Sequence, residues 1–238
     1  MQDNYIGDIG DYGKYGLLRE ICSHDISLSV NWYKVTPTKT SKQDDGKYTS
    51  YLLKPEKYRA YDPVLFDSLR SIVCVSNDRR IQRIEEANLF LANFFSYEIS
   101  GDRLNWHEAA LRQTQGTDAV FLDPDNGLET LNMFLSGTAT EKHVKWSELK
   151  DYYQRGQNVI LYQHRPQMTK KEVCIEGILR FQKEYLRADA VMLLEFPKYT
   201  NRFYFIFLHN EYNSRFKKVC DAMTEKWGKD AFCRKIDI

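Results

Sequence analysis

The sequence predicts a three-layer α/β fold, with helices on both faces of a mostly parallel sheet. Short apolar runs of strand composition alternate with longer segments of helical periodicity, an order that implies parallel strands joined by helical crossovers. The 238 residues suit a single domain spanning 1–238 and are enough to bury a continuous core. The last two apolar runs, 190–195 and 202–208, are separated only by a polar break at 197–201, so an antiparallel hairpin is expected near the C-terminus.

In chain order, a helix is expected over 12–22 and a strand over 28–35. A polar insertion rich in Lys and Tyr follows at about 36–61, with Asp44, Asp45 and Gly46 as a turn signal. Asp62 and Pro63 open a helix carrying Val64, Leu65, Phe66 and Leu69, because Asp caps a helix and Pro suits its first turn. Residues 72–76 have the composition of a short buried strand, and Asn77 and Asp78 that of a cap for a helix carrying Ile81, Ile84 and Leu89. A strand at 94–99, a helix at 102–115 and a strand at 119–122 come next. Beyond them lie a helix at 147–155 stopped by Gly156, a strand at 158–162, and an amphipathic helix at 169–187. A helix at 213–227 follows the hairpin.

Composition narrows the function classes. A net charge of +1 means that a nucleic-acid partner would be held by a local basic surface and not by a global field. The start of the chain lacks a basic stretch followed by an apolar one, and no run approaches the roughly 18 apolar residues of a membrane span, so a cytoplasmic protein without membrane contact is expected. Five Cys stand singly, without a CxxC pair, and are expected to be reduced, outside any disulfide framework or zinc site. Aromatics make up 14% of the residues, enough to fill a core and leave rings for stacking on a base.

The most informative stretch is 118–129, where the apolar run Ala-Val-Phe-Leu empties into Asp123, Pro124, Asp125, Asn126 and Gly127. Ligands of open α/β sheets bind outside the carboxyl ends of strands, so polar residues there are candidate site residues. The same residues also favour a tight turn for local backbone reasons.

Two segments carry a family resemblance. Gly7-Asp8-Ile9-Gly10-Asp11-Tyr12-Gly13-Lys14-Tyr15 resembles without a gap the Gly-Asn-x-x-Asp-x-x-Lys-His segment of the ribosomal large-subunit RNA adenine-N6 methyltransferase family. Asp123-Pro124 stands where amino-methyltransferases carry Asp-Pro-Pro-Tyr. The chain is also similar to a set of bacterial and prophage proteins sharing Gly-Asp-Ile-Gly-Asp and Phe-Leu-Asp-Pro-Asp-Asn-Gly. The resemblance implies a Rossmann-like class I methyltransferase sheet, S-adenosylmethionine as cofactor, and a nucleic-acid amine of adenine N6 type as substrate. It further implies that Asp123 and the Pro124 carbonyl accept hydrogen bonds from the target amine. Gly7, Asp8, Gly10, Asp11, Lys14 and Tyr15 would bind the cofactor, with Lys14 near its carboxylate.

The sequence departs from the family at two places. Asp125 and Asn126 replace the second proline and the aromatic, leaving Tyr162 or His164 as candidate platforms for the base. No Gly-rich turn follows the first strand, where Val35-Thr36-Pro37 stands instead. Asp78 is the candidate for the ribose hydroxyls, and it reads equally as a helix cap. Asp8 and Asp11 likewise read as caps of the first helix.

Two other classes compete. Asp8, Asp11, Asp123, Asp125, Glu129 and His164 include the oxygen ligands and base of a Mg-dependent nuclease. A catalytically inactive fold binding nucleic acid or a protein would use Lys39, Lys42, Lys47, Lys54 and Lys57, interleaved with Tyr48, Tyr51 and Tyr58. The sequence leaves the oligomeric state open.

Overall fold

Helices alternate with short strands of apolar, β-branched and aromatic residues. The computed structural model describes residues 1–36, 46–165 and 169–238. In chain order it contains α1 (Ile9–Ser23), β1 (Leu28–Asn31), α2 (Pro55–Tyr58), α3 (Pro63–Arg70), α4 (Ile81–Glu86), β2 (Ala92–Phe95), α5 (Arg103–Gln113) and β3 (Ala119–Leu122). These are followed by β4 (Gly127–Leu128), α6 (Leu131–Ser136), β5 (His143–Val144), α7 (Trp146–Gln154), β6 (Asn158–His164), α8 (Lys171–Tyr185), β7 (Ala190–Phe196), β8 (Arg202–Leu208), α9 (Asn213–Trp227) and β9 (Arg234–Ile236). Asp62 caps α3 through the Leu65 amide at 3.0 Å, as its sequence position announces, and Asp102 caps α5 through the Leu104 amide at 2.8 Å.

The central sheet has seven strands in the order β2-β1-β3-β6-β8-β7-β9. β2, β1, β3 and β6 pair in parallel, whereas β8 lies antiparallel between β6 and β7. The expected hairpin is thus present, but its second strand is the one that joins the parallel set. A further strand, β9, adds antiparallel to β7; three residues, two of them charged, give it too weak a pattern to read in advance.

All seven residues of β8 are buried, and they alternate between two cores. Tyr204, Ile206 and Leu208 face α1, α3 and α9, while Phe203, Phe205 and Phe207 face α5, α7 and α8. A strand covered on both faces reads as a continuous apolar run, as this one does.

Three sequence expectations are corrected. Residues 72–76 form no strand: Ser71–Val75 is a π-helical continuation of α3, with Cys74 and Val75 exposed. A short β-branched run has the composition of either element, and its continuity with a capped helix decides the outcome. Asn77 and Asp78 do not cap the next helix, because Asp3 accepts the hydrogen bond from the Ile81 amide at 2.9 Å. Within the insertion, Lys39 and Lys42 lie outside the described residues, and Tyr51 and Tyr58 are core residues instead of base platforms. Tyr51 stacks on Tyr12 at 5.3 Å and meets Tyr58 edge-on at 5.7 Å.

The N-terminal glycines also take a packing role. A Cβ on Gly10, Gly13 or Gly16 would come within 2.3 Å of Arg202, 2.6 Å of Phe196 and 2.3 Å of Trp227 respectively. Their spacing of three places them along one side of α1, where each admits a bulky side chain of β8, β7 or α9. Gly13→Ala is expected to cost about 1–3 kcal/mol by overpacking Phe196. Gly177→Ala, in α8 with nothing within 4 Å of the added carbon, is expected to stabilise by about 0.5–1 kcal/mol. Urea unfolding at constant m-value measures both, and equal effects of the two substitutions would refute the packing account.

Candidate functional site

Strand order reverses between β1 and β3, the position at which open α/β sheets form a ligand crevice beyond the strand ends. The Asp123 amide donates to Asn31 O at 3.0 Å, so the Asp123-to-Gly127 turn leaves the sheet at this edge. Gln163 shapes the turn: its Oε1 accepts from the Leu128 amide at 2.8 Å and its Nε2 donates to Asn126 O at 3.3 Å. Gly127 has φ +113°, and a Cβ there would lie 2.3 Å from Gln163 Oε1, so only glycine fits. The turn reading and the site reading of this segment are therefore compatible.

Beside the turn lies a cleft of about 270 Å³ whose lining includes Asp8, Gly10, Asp11, Lys14, Asp123, Pro124, Asp125, Asn126, Tyr162 and His164. The structure thus brings together the two segments that the sequence singles out. Lys14 Nζ donates to Asp11 Oδ1 and Asp123 Oδ2, both at 2.8 Å, and sits 5.7 Å from the Tyr162 ring centroid. Burial pulls the Lys14 pKa down, but the two carboxylates outweigh it and hold the ammonium above its ordinary range. Asp123 is raised, because burial outweighs the pull of Lys14 and of the Met1 amino group. Asp8 caps α1 through the Gly10 amide and pairs with Arg202 at 3.0 Å; burial raises its carboxyl against that pairing. The cleft sets four carboxylates, Asp8, Asp11, Asp123 and Asp125, against Lys14, Arg202 and the Met1 amino group.

Other candidates fall elsewhere. Tyr15 is buried behind the cleft and donates to Asp11 Oδ2 at 3.1 Å. Gly7, at φ +77°, turns the chain into α1 against Val73. Asp78 does not line the cleft: it ends no strand and is bound by Arg80 and Arg83, both at 2.6 Å, which hold its carboxyl well below the usual range. Of the nuclease set, Asp8, Asp11, Asp123, Asp125 and His164 line the cleft, and Glu129 does not. Glu129 accepts from the Trp146 amide at 2.6 Å, and the acids of the cleft are matched to cations. Among the described residues, no group of three or more His, Cys, Asp or Glu side chains is arranged to hold a metal ion.

Several lining residues escaped the sequence reading, Met1, Tyr5, Thr200 and Arg202, whereas Tyr48 was named there with the insertion. Arg202 carried a signal, since it is the cation that opens an otherwise apolar strand. Its guanidinium donates to Asp8 and to the Lys198 and Thr200 carbonyls at 3.1 and 3.3 Å. Tyr48 stacks on Tyr199 at 4.9 Å. Met1 had no signal. Its amino group donates to Tyr33 O at 2.9 Å and Asp123 O at 3.2 Å and pairs with Asp125 at 2.8 Å, while its carbonyl accepts from the Val35 amide at 3.1 Å.

Burial, followed by the Arg202 and Arg165 charges, lowers the His164 pKa from its ordinary 6.5, and burial with Arg103 does the same for His143. In the unfolded chain both would titrate near 6.5. As pH falls through that value the unfolded state takes up protons that the fold refuses, so their contribution to stability is complete above it and lost below it. The urea midpoint is expected to drop between about pH 7.5 and 5.5 more steeply for the wild type than for a His143→Gln/His164→Gln variant. Parallel pH profiles would contradict this.

Comparison with known protein families, curated proteins and solved structures returns no match. Among the described residues, no helix is long and apolar enough to cross a membrane.

Proposed function

We propose that this protein is an S-adenosylmethionine-dependent methyltransferase acting on a nucleic-acid amine of adenine N6 type. The observation that carries the reading is the Lys14–Asp123 pair, which joins the two segments of family resemblance at the carboxyl edge of β3. A parallel sheet with β8 inserted antiparallel supports the Rossmann-like methyltransferase class.

S-adenosylmethionine does not fit the crevice between β1 and β3 as arranged, because Met1 is 3% exposed there and Gln2 1%. Bulky Trp32 and Tyr33 also follow β1, both fully buried, where close backbone approach would call for glycine.

The chemistry of the chain's own groups at the neighbouring β3–β6 edge suits an amine. The Asp123 carboxylate and Pro124 carbonyl are acceptors for its two N–H bonds, and a carboxyl raised by burial is a suitable proton acceptor. Tyr162 and His164 line the same cleft and offer planar faces to a base. The Thr200 hydroxyl, buried without a hydrogen-bond partner among the described residues, is left for a polar atom of a ligand.

Calorimetric titration with S-adenosylhomocysteine and, separately, with Mg²⁺ tests the reading. Binding of the first is expected to raise the melting temperature, with about 2.7 kcal/mol of stabilisation at 100-fold excess over Kd. Mg²⁺ binding coupled to nucleic-acid cleavage, with no response to the nucleoside, would overturn it.

A further inference from the structure

We propose that Tyr48 and Tyr199 form a stacking platform at the mouth of the cleft for the nucleotide next to the target, so that the ligand is an unpaired strand, RNA or DNA, and neither a free nucleoside nor a duplex. The proposal rests on the nucleic-acid reading of the cleft and names the form in which that substrate is presented.

Of the three tyrosines singled out in the insertion, Tyr48 alone lines the cleft. Its amide donates to Asp8 Oδ2 at 3.2 Å and its carbonyl accepts from the Ile9 amide at 3.1 Å, so its backbone is fixed to the start of α1. Its ring stacks on Tyr199, with centroids 4.9 Å apart and planes 19° from parallel. Tyr199 belongs to the turn between β7 and β8, beside Thr200, which also lines the cleft. Arg202 fastens this turn by donating to the carbonyls of Lys198 and Thr200, on either side of Tyr199.

Packing does not account for two features of Tyr199. The residue is 55% exposed, although its ring rests on Tyr48 and its side chain hydrogen-bonds that of Tyr58. Its φ is +63°, a left-handed conformation that a bulky residue adopts at a cost and that turns ordinarily fill with glycine or asparagine. Strain kept at a residue that buries so little fits a ring held in place for a ligand. An exposed aromatic oriented in advance is what a base of any sequence stacks on.

The charges beside the rings suit a phosphate chain. Lys47 Nζ lies 5.8 Å from the Tyr48 ring centroid, Lys198 Nζ donates to Asp230 O at 3.3 Å, and the Arg165 amide joins Arg165 to the same turn through Asn201 O at 3.3 Å. Cations interleaved with aromatic rings follow the backbone of a single strand. In a duplex the neighbour of a flipped base stays stacked within the helix, so a platform for that neighbour selects unpaired nucleic acid.

The test measures binding of a labelled five-nucleotide strand with a central adenine, as RNA and as DNA, beside the matched duplexes and free adenosine. The wild type is compared with Tyr199→Phe and Tyr199→Gly; glycine takes φ +63° without a Cβ penalty, and the melting temperature reports that the variant folds. Tyr199→Asn, also at ease in this conformation, serves if glycine loosens the turn. Strand affinity is expected to fall on the order of tenfold or more in Tyr199→Gly and to persist in Tyr199→Phe, with adenosine affinity the same in all three. A Tyr199-dependent loss for either strand supports the platform, and the tighter strand names the sugar. Equal strand affinity in wild type and Tyr199→Gly, no strand binding at all, or a duplex or adenosine bound as tightly as the strand overturns it. Methyl transfer is scored separately: Tyr199-dependent strand binding without transfer overturns the proposed function and leaves the platform, whereas transfer to a strand that ignores Tyr199 does the reverse.

Discussion

Replacing Lys14 by methionine is expected to destabilise the protein by about 3–5 kcal/mol, the usual loss when one partner of a buried charge network is removed. Lys14 is 4% exposed and lies 2.8 Å from both Asp11 and Asp123. Without it, two buried carboxylates share one space and cannot both remain ionised. The deficit should shrink on acidification: the folded-state carboxyl pKa would lie above the unfolded one, so the fold gains protons as pH falls through it. Adding Asp123→Asn should recover part of the loss. Urea unfolding measures all three quantities, and a loss under about 1 kcal/mol would show that the carboxylates are solvated.

Asp123→Asn alone is expected to be nearly silent in stability and severe in function. It leaves Lys14 matched one to one with Asp11, so no buried charge is stranded. If the proposed function holds, methyl transfer should fall by about 10²-fold or more, because an amide oxygen neither takes a proton nor polarises an amine as a carboxylate does. S-adenosylhomocysteine affinity should change little, which separates chemistry from binding. A folded Asp123→Asn protein with full activity would exclude Asp123 from catalysis.

Local signals carried the reading of the fold where they were strong. The strands Ala119–Leu122 and Arg202–Leu208 and the helix Asn213–Trp227 occur at their expected bounds, because apolar runs or helical periodicity end there at turn formers or glycine. The run Ile72-Val-Cys-Val75 misled, since composition alone does not separate a short strand from the end of a helix. Asp78 misled with it, having been placed by the strand that is not there. Asp123 and Lys14 were legible as site residues, whereas the roles of Gly10 and Gly13 were not: a glycine admits a neighbour of any kind, and only the fold shows that the neighbours are Arg202 and Phe196. Met1 is a long-range partner of strand ends, and nothing local distinguishes it.

The Arg202–Asp8 bond spans 194 positions of the chain. During synthesis, α1 and β3 emerge long before β8, yet the cleft lacks the cation that pairs with Asp8 until β8 lies between β6 and β7. A nascent chain halted before residue 202 would therefore carry a half-built sheet with an open edge at β6 and an unmatched Asp8. Such non-local closure is slow and leaves strand edges exposed, so the arrival of β8 governs when the sheet closes and the cleft is completed.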